Sequence, residues 1–216
     1  MPIEIIPSGA ALGAEIRGVD LARPLDDETF AAIEQAYSTH GVVFFRGQRI
    51  TPLQQVAFTR RFGEIEFNVF GERWSVPGSP EIVVVSNVTE DGRPIGVRRA
   101  GENWHSDMCY APRPPRGTML YAIEVPEPRG LPFGDTEFAS TAAVWDALPQ
   151  SLREWIDGRR VERTHVPVRD ARRCHGHRRH PPSSTATSGG GKTCSCGTIA
   201  WCSTARSRTM TCPRGG

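Results

Sequence analysis

The sequence predicts an α+β domain that is built round an antiparallel sheet or jelly roll. Three observations favour this fold class. Short strand-like segments dominate the middle of the chain, helical patterns gather at the front and after residue 140, and no strand–helix–strand alternation is visible. With 216 residues the chain is long enough to bury a substantial core without disulfides or bound metals.

Local signals predict the first elements. The isoleucines in residues 3–6 indicate a short opening strand. Asp26 is a typical helix N-cap, and Gly41 can end the helix that follows. The continuous apolar run 42–45 predicts a buried strand. Thr51, followed by proline at the first helical position, predicts the start of a second helix that stops at residue 63.

The later elements are predicted from apolar runs and caps. A polar, glycine-rich loop is predicted over residues 86–103. Strands are predicted at residues 82–85, 119–125 and 134–138, and helices from Ser140 or Thr141 to Leu148 and near 152–156.

Composition excludes some classes of protein. No apolar run reaches the roughly 18 residues that a membrane-spanning helix needs, so a membrane protein is not expected. Residues 1–20 contain no basic stretch followed by an apolar core, so no signal peptide is predicted. The predicted compartment is the cytoplasm, by default.

Charge is unevenly distributed along the chain. Residues 168–216 hold nine basic residues and one acid, Asp170, so this segment is +8 and residues 1–167 are −6. The same segment holds five of the six cysteines and has no Leu, Phe or Tyr. We therefore predict a folded acidic domain over residues 1–167 and a basic tail over residues 168–216 that is disordered or out of frame.

A histidine and a carboxylate stand two positions apart in His105-Ser106-Asp107. On an extended strand such residues point to the same face, so an imidazole and a carboxylate can meet at one point. Two histidines and one carboxylate on one face suit a divalent iron with open coordination positions, which requires a second, distant histidine. The tripeptide alone favours a plainer interpretation, a surface histidine beside a solvated aspartate.

Other motifs stand round this tripeptide in a fixed order. They are GVVFFRGQ (41–48), FGE (62–64), WHSD (104–107), PRPP (112–115), GTMLYA (117–122) and GDTEF (134–138). Over residues 3–167 this series closely resembles the taurine dioxygenase / 2,4-dichlorophenoxyacetate dioxygenase family of iron(II)- and 2-oxoglutarate-dependent oxygenases. Several motifs in register are far more specific than any one of them.

The resemblance implies a double-stranded β-helix, or jelly roll, with flanking helices, incomplete here because the closing C-terminal strands are missing. It implies that His105 and Asp107 are the first two Fe(II) ligands and that Thr136 hydrogen-bonds a carboxylate of the co-substrate 2-oxoglutarate. The implied reaction hydroxylates a small organic acid with O2 and releases succinate and CO2. Asn68 stands at a substrate-contacting position where relatives that use taurine carry histidine, which puts taurine in doubt.

After residue 167 the family pattern is lost. Relatives continue with further strands, a stretch that supplies the second iron histidine, and an arginine that pairs with the far carboxylate of 2-oxoglutarate. The tail could instead be a divergent extension, a Cys/His zinc module or a basic segment that binds nucleic acid. Its cysteine spacings match no usual zinc pattern, and its single aromatic residue, Trp201, argues against nucleic-acid binding.

A shift of reading frame accounts for the tail more fully. The codons that could encode residues 191–206 can be read again in a shifted frame, in which each new codon begins at the third base of an original codon. The amino acids that this shifted frame permits include Trp-Asp-Asn-Arg-Leu-Val-Leu-His-Arg-Ala in that order. The shifted histidine arises across Ser203 and Thr204. We therefore hypothesise a frameshift soon after His165, which leaves the tail as out-of-frame coding.

The expected function follows from these departures. As written, the chain carries two of three iron ligands, so we expect an unstable or weakly active 2-oxoglutarate-dependent dioxygenase. Two other classes stay open: a non-catalytic jelly-roll protein that binds a small ligand, and a zinc- or nucleic-acid-binding tail. The expected partners are a small-molecule substrate and O2, with no membrane, and relatives often form homo-oligomers.

Overall fold

The computed structural model describes residues 3–66, 70–98, 100, 104–124, 136–159, 199–203 and 207–209. The helices in these ranges are α1 Asp27–His40, α2 Pro52–Arg60, α3 Thr141–Ala147 and α4 Gln150–Ile156, with a 3-10 turn at Glu72–Trp74. The strands are β1 Glu4–Pro7, β2 Ala14–Arg17, β3 Val42–Phe45, β4 Ser75–Val76, β5 Ser79–Val83, β6 Thr89–Glu90, β7 Arg93–Pro94, β8 Gly117–Tyr121, β9 Thr136–Phe138, β10 Ile199–Ser203 and β11 Ser207–Thr209.

Helix α1 begins and ends at capping residues. Its N-cap Asp26 accepts a hydrogen bond from the Thr29 backbone N–H at 2.6 Å, which satisfies one of the free donors of the first turn. Its C-cap Gly41 has φ 69°, a left-handed conformation that a side chain disfavours, and donates its N–H to the Tyr37 carbonyl. Both predicted ends of this helix are confirmed.

Helix α2 begins in a capping box. The Gln54 backbone N–H donates to the Thr51 hydroxyl, and the Gln54 side chain accepts from the Thr51 backbone N–H. Pro52 occupies the first helical position, as predicted. The helix ends at Arg60, three residues before the predicted stop, and Phe62 and Gly63 follow in turns that bond back to Thr59 and Arg60.

A hydrophobic core lies where these two helices pack on the sheet. Ile33 of α1 and Val43 and Phe45 of β3 are fully buried. Phe30 and Phe62 meet edge to face with ring centroids 4.9 Å apart, an arrangement that aromatic quadrupoles favour. This core ties β1, β2 and β3 to both helices.

Five strands form the main sheet in the order β1-β2-β3-β10-β8. The pairs β1–β2, β3–β10 and β10–β8 are antiparallel, whereas β2 and β3 run parallel. The remaining described strands form three separate pairs, β4–β5, β6–β7 and β9–β11. The described helices and strands thus form a mixed α and β architecture with a mainly antiparallel sheet and no closed barrel. This agrees with the predicted fold class but does not by itself show a jelly roll.

An interior position of that sheet is filled by a strand from beyond residue 167. In β10, Trp201 lies opposite Val43 of β3 and Met119 of β8. Ile-Ala-Trp-Cys-Ser is the most apolar stretch of the predicted tail, and unpaired backbone on β3 and β8 would otherwise lack partners. We expected residues 168–216 to add no strand to the sheet, and residues 199–203 differ from that expectation. The domain boundary after residue 167 stays a prediction.

The strand predicted at 82–85 differs from the observed strand in its bounds and in its burial. Strand β5 spans Ser79–Val83 and, among the described strands, pairs with the two-residue β4 alone; Ile82 and Val83 are half-buried, and Val85 is 48% exposed. The apolar run misled because a buried and a half-buried strand share the same composition.

None of the helices in the described ranges is both long and apolar enough to cross a lipid bilayer.

Candidate functional site

His105 and Asp107 meet through their side chains. His105 Nε2 lies 3.1 Å from Asp107 Oδ1, and the two side chains are 38% and 37% exposed. This exposure leaves the imidazole and the carboxylate half open to solvent and to a ligand. The two groups predicted to face one point are therefore adjacent in space.

The backbone at this site is a turn rather than a regular strand. His105 makes a single β-bridge, and residues 107–110 form a turn that the Ala111 N–H closes on the Met108 carbonyl at 2.9 Å. Met108 has φ 44°, which non-glycine residues adopt rarely. Asp107 therefore stands at the start of a turn and not inside an extended strand, because the chain reverses directly after the carboxylate.

Thr118 holds the second oxygen of the same carboxylate. Its hydroxyl donates to Asp107 Oδ2 at 2.6 Å, while Oδ1 faces the imidazole. The sequence analysis quoted this threonine only as part of a motif and gave it no role. The signal that could have found it is a short polar side chain inside an otherwise apolar strand, β8.

Strand β8 is in turn anchored to helix α1. The Tyr37 hydroxyl donates to the Arg116 carbonyl, directly before the strand, and the Arg116 guanidinium pairs with Glu34. Tyr37 is only 4% exposed and belongs to the hydrophobic core. The residue that touches Asp107 therefore stands on a strand that is hydrogen-bonded to the hydrophobic core.

The donor set suits a divalent metal. Two ligand atoms bound at about 2.1 Å and at a right angle to each other lie about 3.0 Å apart. The observed separation of 3.1 Å between Nε2 and Oδ1 matches that spacing. In the described part of the chain no group of three or more His, Cys, Asp or Glu side chains could hold a metal ion, so this pair supplies two donors and not a full set.

Thr136, another predicted site residue, lies on a different strand from Thr118. Thr136 opens β9, which pairs with β11 outside the five-stranded sheet, and it lies opposite Thr209. Its side chain is half-buried. Asn68 lies outside the described residues, so its role stays a prediction.

Comparison with known proteins adds a family. The model of the taurine catabolism dioxygenase TauD, TfdA family matches residues 4–193 of this chain. The alpha-ketoglutarate-dependent 2,4-dichlorophenoxyacetate dioxygenase of Cupriavidus pinatubonensis is 34% identical over 171 aligned residues, covering 75% of this chain and 58% of the relative. Pentalenolactone F synthase of Streptomyces avermitilis is 34% identical over 164 residues, covering 74% of this chain and 52% of the synthase.

Solved structures share the fold. A taurine dioxygenase from Burkholderia xenovorans superposes with a TM-score of 0.67 at 26% identity, covering 97% of this chain and 83% of that one. AAD-2, solved in complex with Mn(II) and N-oxalylglycine, superposes with a TM-score of 0.61 at 18% identity, covering 99% and 92%. At the level of sequence, the chain spans only a little over half the length of the relatives named above.

Proposed function

Because the chain belongs to the taurine catabolism dioxygenase TauD, TfdA family, we propose that it is part of an Fe(II)- and 2-oxoglutarate-dependent dioxygenase that hydroxylates a small organic acid. The observation that carries this proposal is the His105–Asp107 pair, with Nε2 and Oδ1 3.1 Å apart and half open to solvent. The relatives named as alpha-ketoglutarate-dependent dioxygenases support it, since they act on 2,4-dichlorophenoxyacetate and on sulfate esters. In this proposal the mixed sheet is part of a jelly roll.

The residues have distinct roles in the proposed reaction. The His105 imidazole and the Asp107 carboxylate would hold Fe(II). When bound, Fe(II) with 2-oxoglutarate and O2 supplies the oxidation of a substrate C–H bond, and succinate and CO2 leave. The Thr136 hydroxyl donates to a carboxylate of 2-oxoglutarate, and Asn68 contacts the substrate. A cytoplasmic location and a homo-oligomeric state stay predictions.

We further propose that the chain is impaired by a frameshift soon after His165. The strand register supports this, because Ser203, where the shifted histidine codon begins, lies opposite Gly117. Gly117 directly precedes Thr118, whose hydroxyl bonds Asp107. In the restored frame a histidine would thus be encoded at the end of β10 that lies opposite Gly117, one residue from Thr118.

The test uses Co(II) as a spectroscopic substitute for Fe(II), together with succinate formation. We expect the 216-residue protein to bind Co(II) weakly through His105 and Asp107 and to form little succinate. His105→Ala should abolish the Co(II) spectrum, whereas His40→Ala, at the end of α1, should leave it unchanged. A gene restored to the shifted frame after codon 165 should give a protein that forms succinate with Fe(II), 2-oxoglutarate and O2.

The outcomes separate the two parts of this proposal. If the restored protein consumes no 2-oxoglutarate with any small acid tested and the original chain binds no Co(II), the dioxygenase proposal is wrong. If the original chain forms succinate as fast as an intact relative, the frameshift proposal is wrong and the dioxygenase proposal stands. Ligand-dependent melting shifts without turnover in either protein would favour the non-catalytic jelly-roll alternative instead.

A further inference from the structure

We propose that Thr118 is the positioning residue that fixes the Asp107 carboxylate and leaves one defined oxygen for the metal. This inference rests on the proposed function of the His105–Asp107 pair. Thr118 does not touch the proposed metal itself, so it acts through Asp107.

The two carboxylate oxygens have different partners. Oδ2 accepts the Thr118 hydroxyl at 2.6 Å, the short distance that is typical of an O–H···O⁻ hydrogen bond. Oδ1 lies 3.1 Å from His105 Nε2. Rotation of the carboxylate about its Cβ–Cγ bond would break the first contact and misplace the second, so Thr118 selects Oδ1 as the ligand atom.

Asp107 needs such a partner because its own backbone does not hold it in a sheet. It opens the turn 107–110, in which Met108 has φ 44°. Thr118, by contrast, lies inside β8 and is paired in register with Cys202 of β10. Its β-branched side chain has few rotamers, so its hydroxyl is held in place more firmly than that of serine would be.

The residues on either side of Thr118 are tied to both helices of the core. The Arg116 carbonyl accepts the Tyr37 hydroxyl of α1. The Met119 sulfur accepts the Thr59 hydroxyl of α2 at 3.1 Å. The packed core therefore fixes the position of Thr118, and Thr118 in turn fixes the Asp107 carboxylate on its half-exposed turn.

The experiment measures Co(II) affinity of the full 216-residue chain by visible absorbance, with thermal unfolding of each variant as a second readout. Thr118→Val keeps the shape and removes the donor, so we expect Co(II) affinity to fall about 10- to 100-fold, the usual effect of losing an outer partner of a ligand. Thr118→Ser keeps the donor and should restore affinity to within about threefold. Thr39→Val, which removes an exposed hydroxyl of α1 that bonds the Gln35 carbonyl, should leave the affinity unchanged.

Each outcome decides the inference. Unchanged Co(II) affinity in a folded Thr118→Val protein overturns it, while the proposed function stands. Equal losses in Thr118→Val and Thr118→Ser also overturn it, because the hydroxyl would then not be the active feature. If the unsubstituted chain gives no Co(II) spectrum that depends on His105, the proposed function has failed at this site and the inference fails with it.

Discussion

The front of the molecule and the region that carries the site are built differently. Residues 14–62 supply the buried hydrophobic core, with Ile33, Val43 and Phe45 at 0% exposure. Within 97–159, none of the residues whose burial the structure describes is buried. Helices α3 and α4 instead expose large apolar side chains, among them Val144, Trp145, Leu152, Trp155 and Ile156. Stability therefore resides in one region and the proposed chemistry in the other.

This contrast teaches why the site depends on long-range contacts. Thr118 is bound to Asp107 across eleven positions, and its strand is joined to the core through Tyr37, Thr59 and β10. On α4, Leu152, Trp155 and Ile156 follow helical spacing on a face with no buried residue. An apolar stripe of this kind is typical of a helix that another part of the protein covers.

The largest expected effect is on the free energy of unfolding, and it comes from removing a core side chain of the front region. Phe45→Ala removes a fully buried ring that meets Phe58 edge to face at 5.9 Å. We expect the free energy of unfolding to fall by about 3–5 kcal/mol, from lost burial and the cavity left behind. Trp155→Ala, at 54% exposure, should change it by no more than about 0.5 kcal/mol. Urea unfolding followed by circular dichroism measures both, and equal losses would abolish the contrast.

Loss of the carboxylate should change binding without changing stability. Asp107→Asn removes the negative charge opposite His105, so Co(II) affinity should fall by more than the roughly 10- to 100-fold that an outer partner costs. The melting temperature should hardly move, because Asp107 stands on a half-exposed turn. Asp157→Asn, on an exposed residue after α4, is the control for charge. A large drop in melting temperature would mean that Asp107 is part of the structural core after all.

Local signals in the sequence predicted the front region well. Asp26, Gly41 and Thr51 each act through atoms within a few positions, so their identity is enough to place the ends of α1 and the start of α2. The apolar run of β3 was equally readable, because it is buried by both helices. These elements are the ones whose physical causes lie inside their own sequence window.

The sequence could not predict the contacts that join distant segments. Nothing local in residues 199–203 indicates that they lie between β3 and β8, since strand pairing depends on which edges are left open elsewhere. The turn after Asp107 was also missed, because Met108 adopts φ 44° without the glycine that usually signals such a conformation. The sequence therefore predicted the histidine and the carboxylate that meet in space but not the residue that holds the carboxylate.

A proline in β10 tests whether the tail strand contributes to the sheet. Trp201→Pro removes a backbone donor from a strand with partners on both sides, so we expect a loss of about 1–3 kcal/mol in the free energy of unfolding. Arg208→Pro makes the same change in β11, which has β9 as its described partner, and should cost less. Urea unfolding compares the two variants. A neutral Trp201→Pro would show that β3 and β8 do not depend on β10 in solution.

The capping box of α2 should contribute a smaller amount. Thr51→Ala removes the hydroxyl that accepts from the Gln54 N–H and should cost about 1 kcal/mol. Ser38→Ala on the exposed face of α1 should stay within about 0.5 kcal/mol. The same urea titration measures both variants. A neutral Thr51→Ala would mean that Pro52 alone sets the start of the helix.

The smallest effect should appear only in acid. The hydrogen bond from the Thr29 backbone N–H lowers the pKa of Asp26 below its usual value. A carboxyl whose pKa is lower in the folded than in the unfolded chain stabilises the fold above the unfolded pKa, and this contribution is lost as pH falls through the folded pKa. Asp26→Ser keeps a cap oxygen without the charge, so the gap in melting temperature between it and the unsubstituted protein should narrow as the pH falls below about 4, the usual pKa of an aspartate. Asp26→Ala, which lacks a cap at every pH, should remain less stable than Asp26→Ser throughout. A gap that stays constant across this range would mean that the cap acts through its oxygen alone and that its charge contributes nothing to the front region.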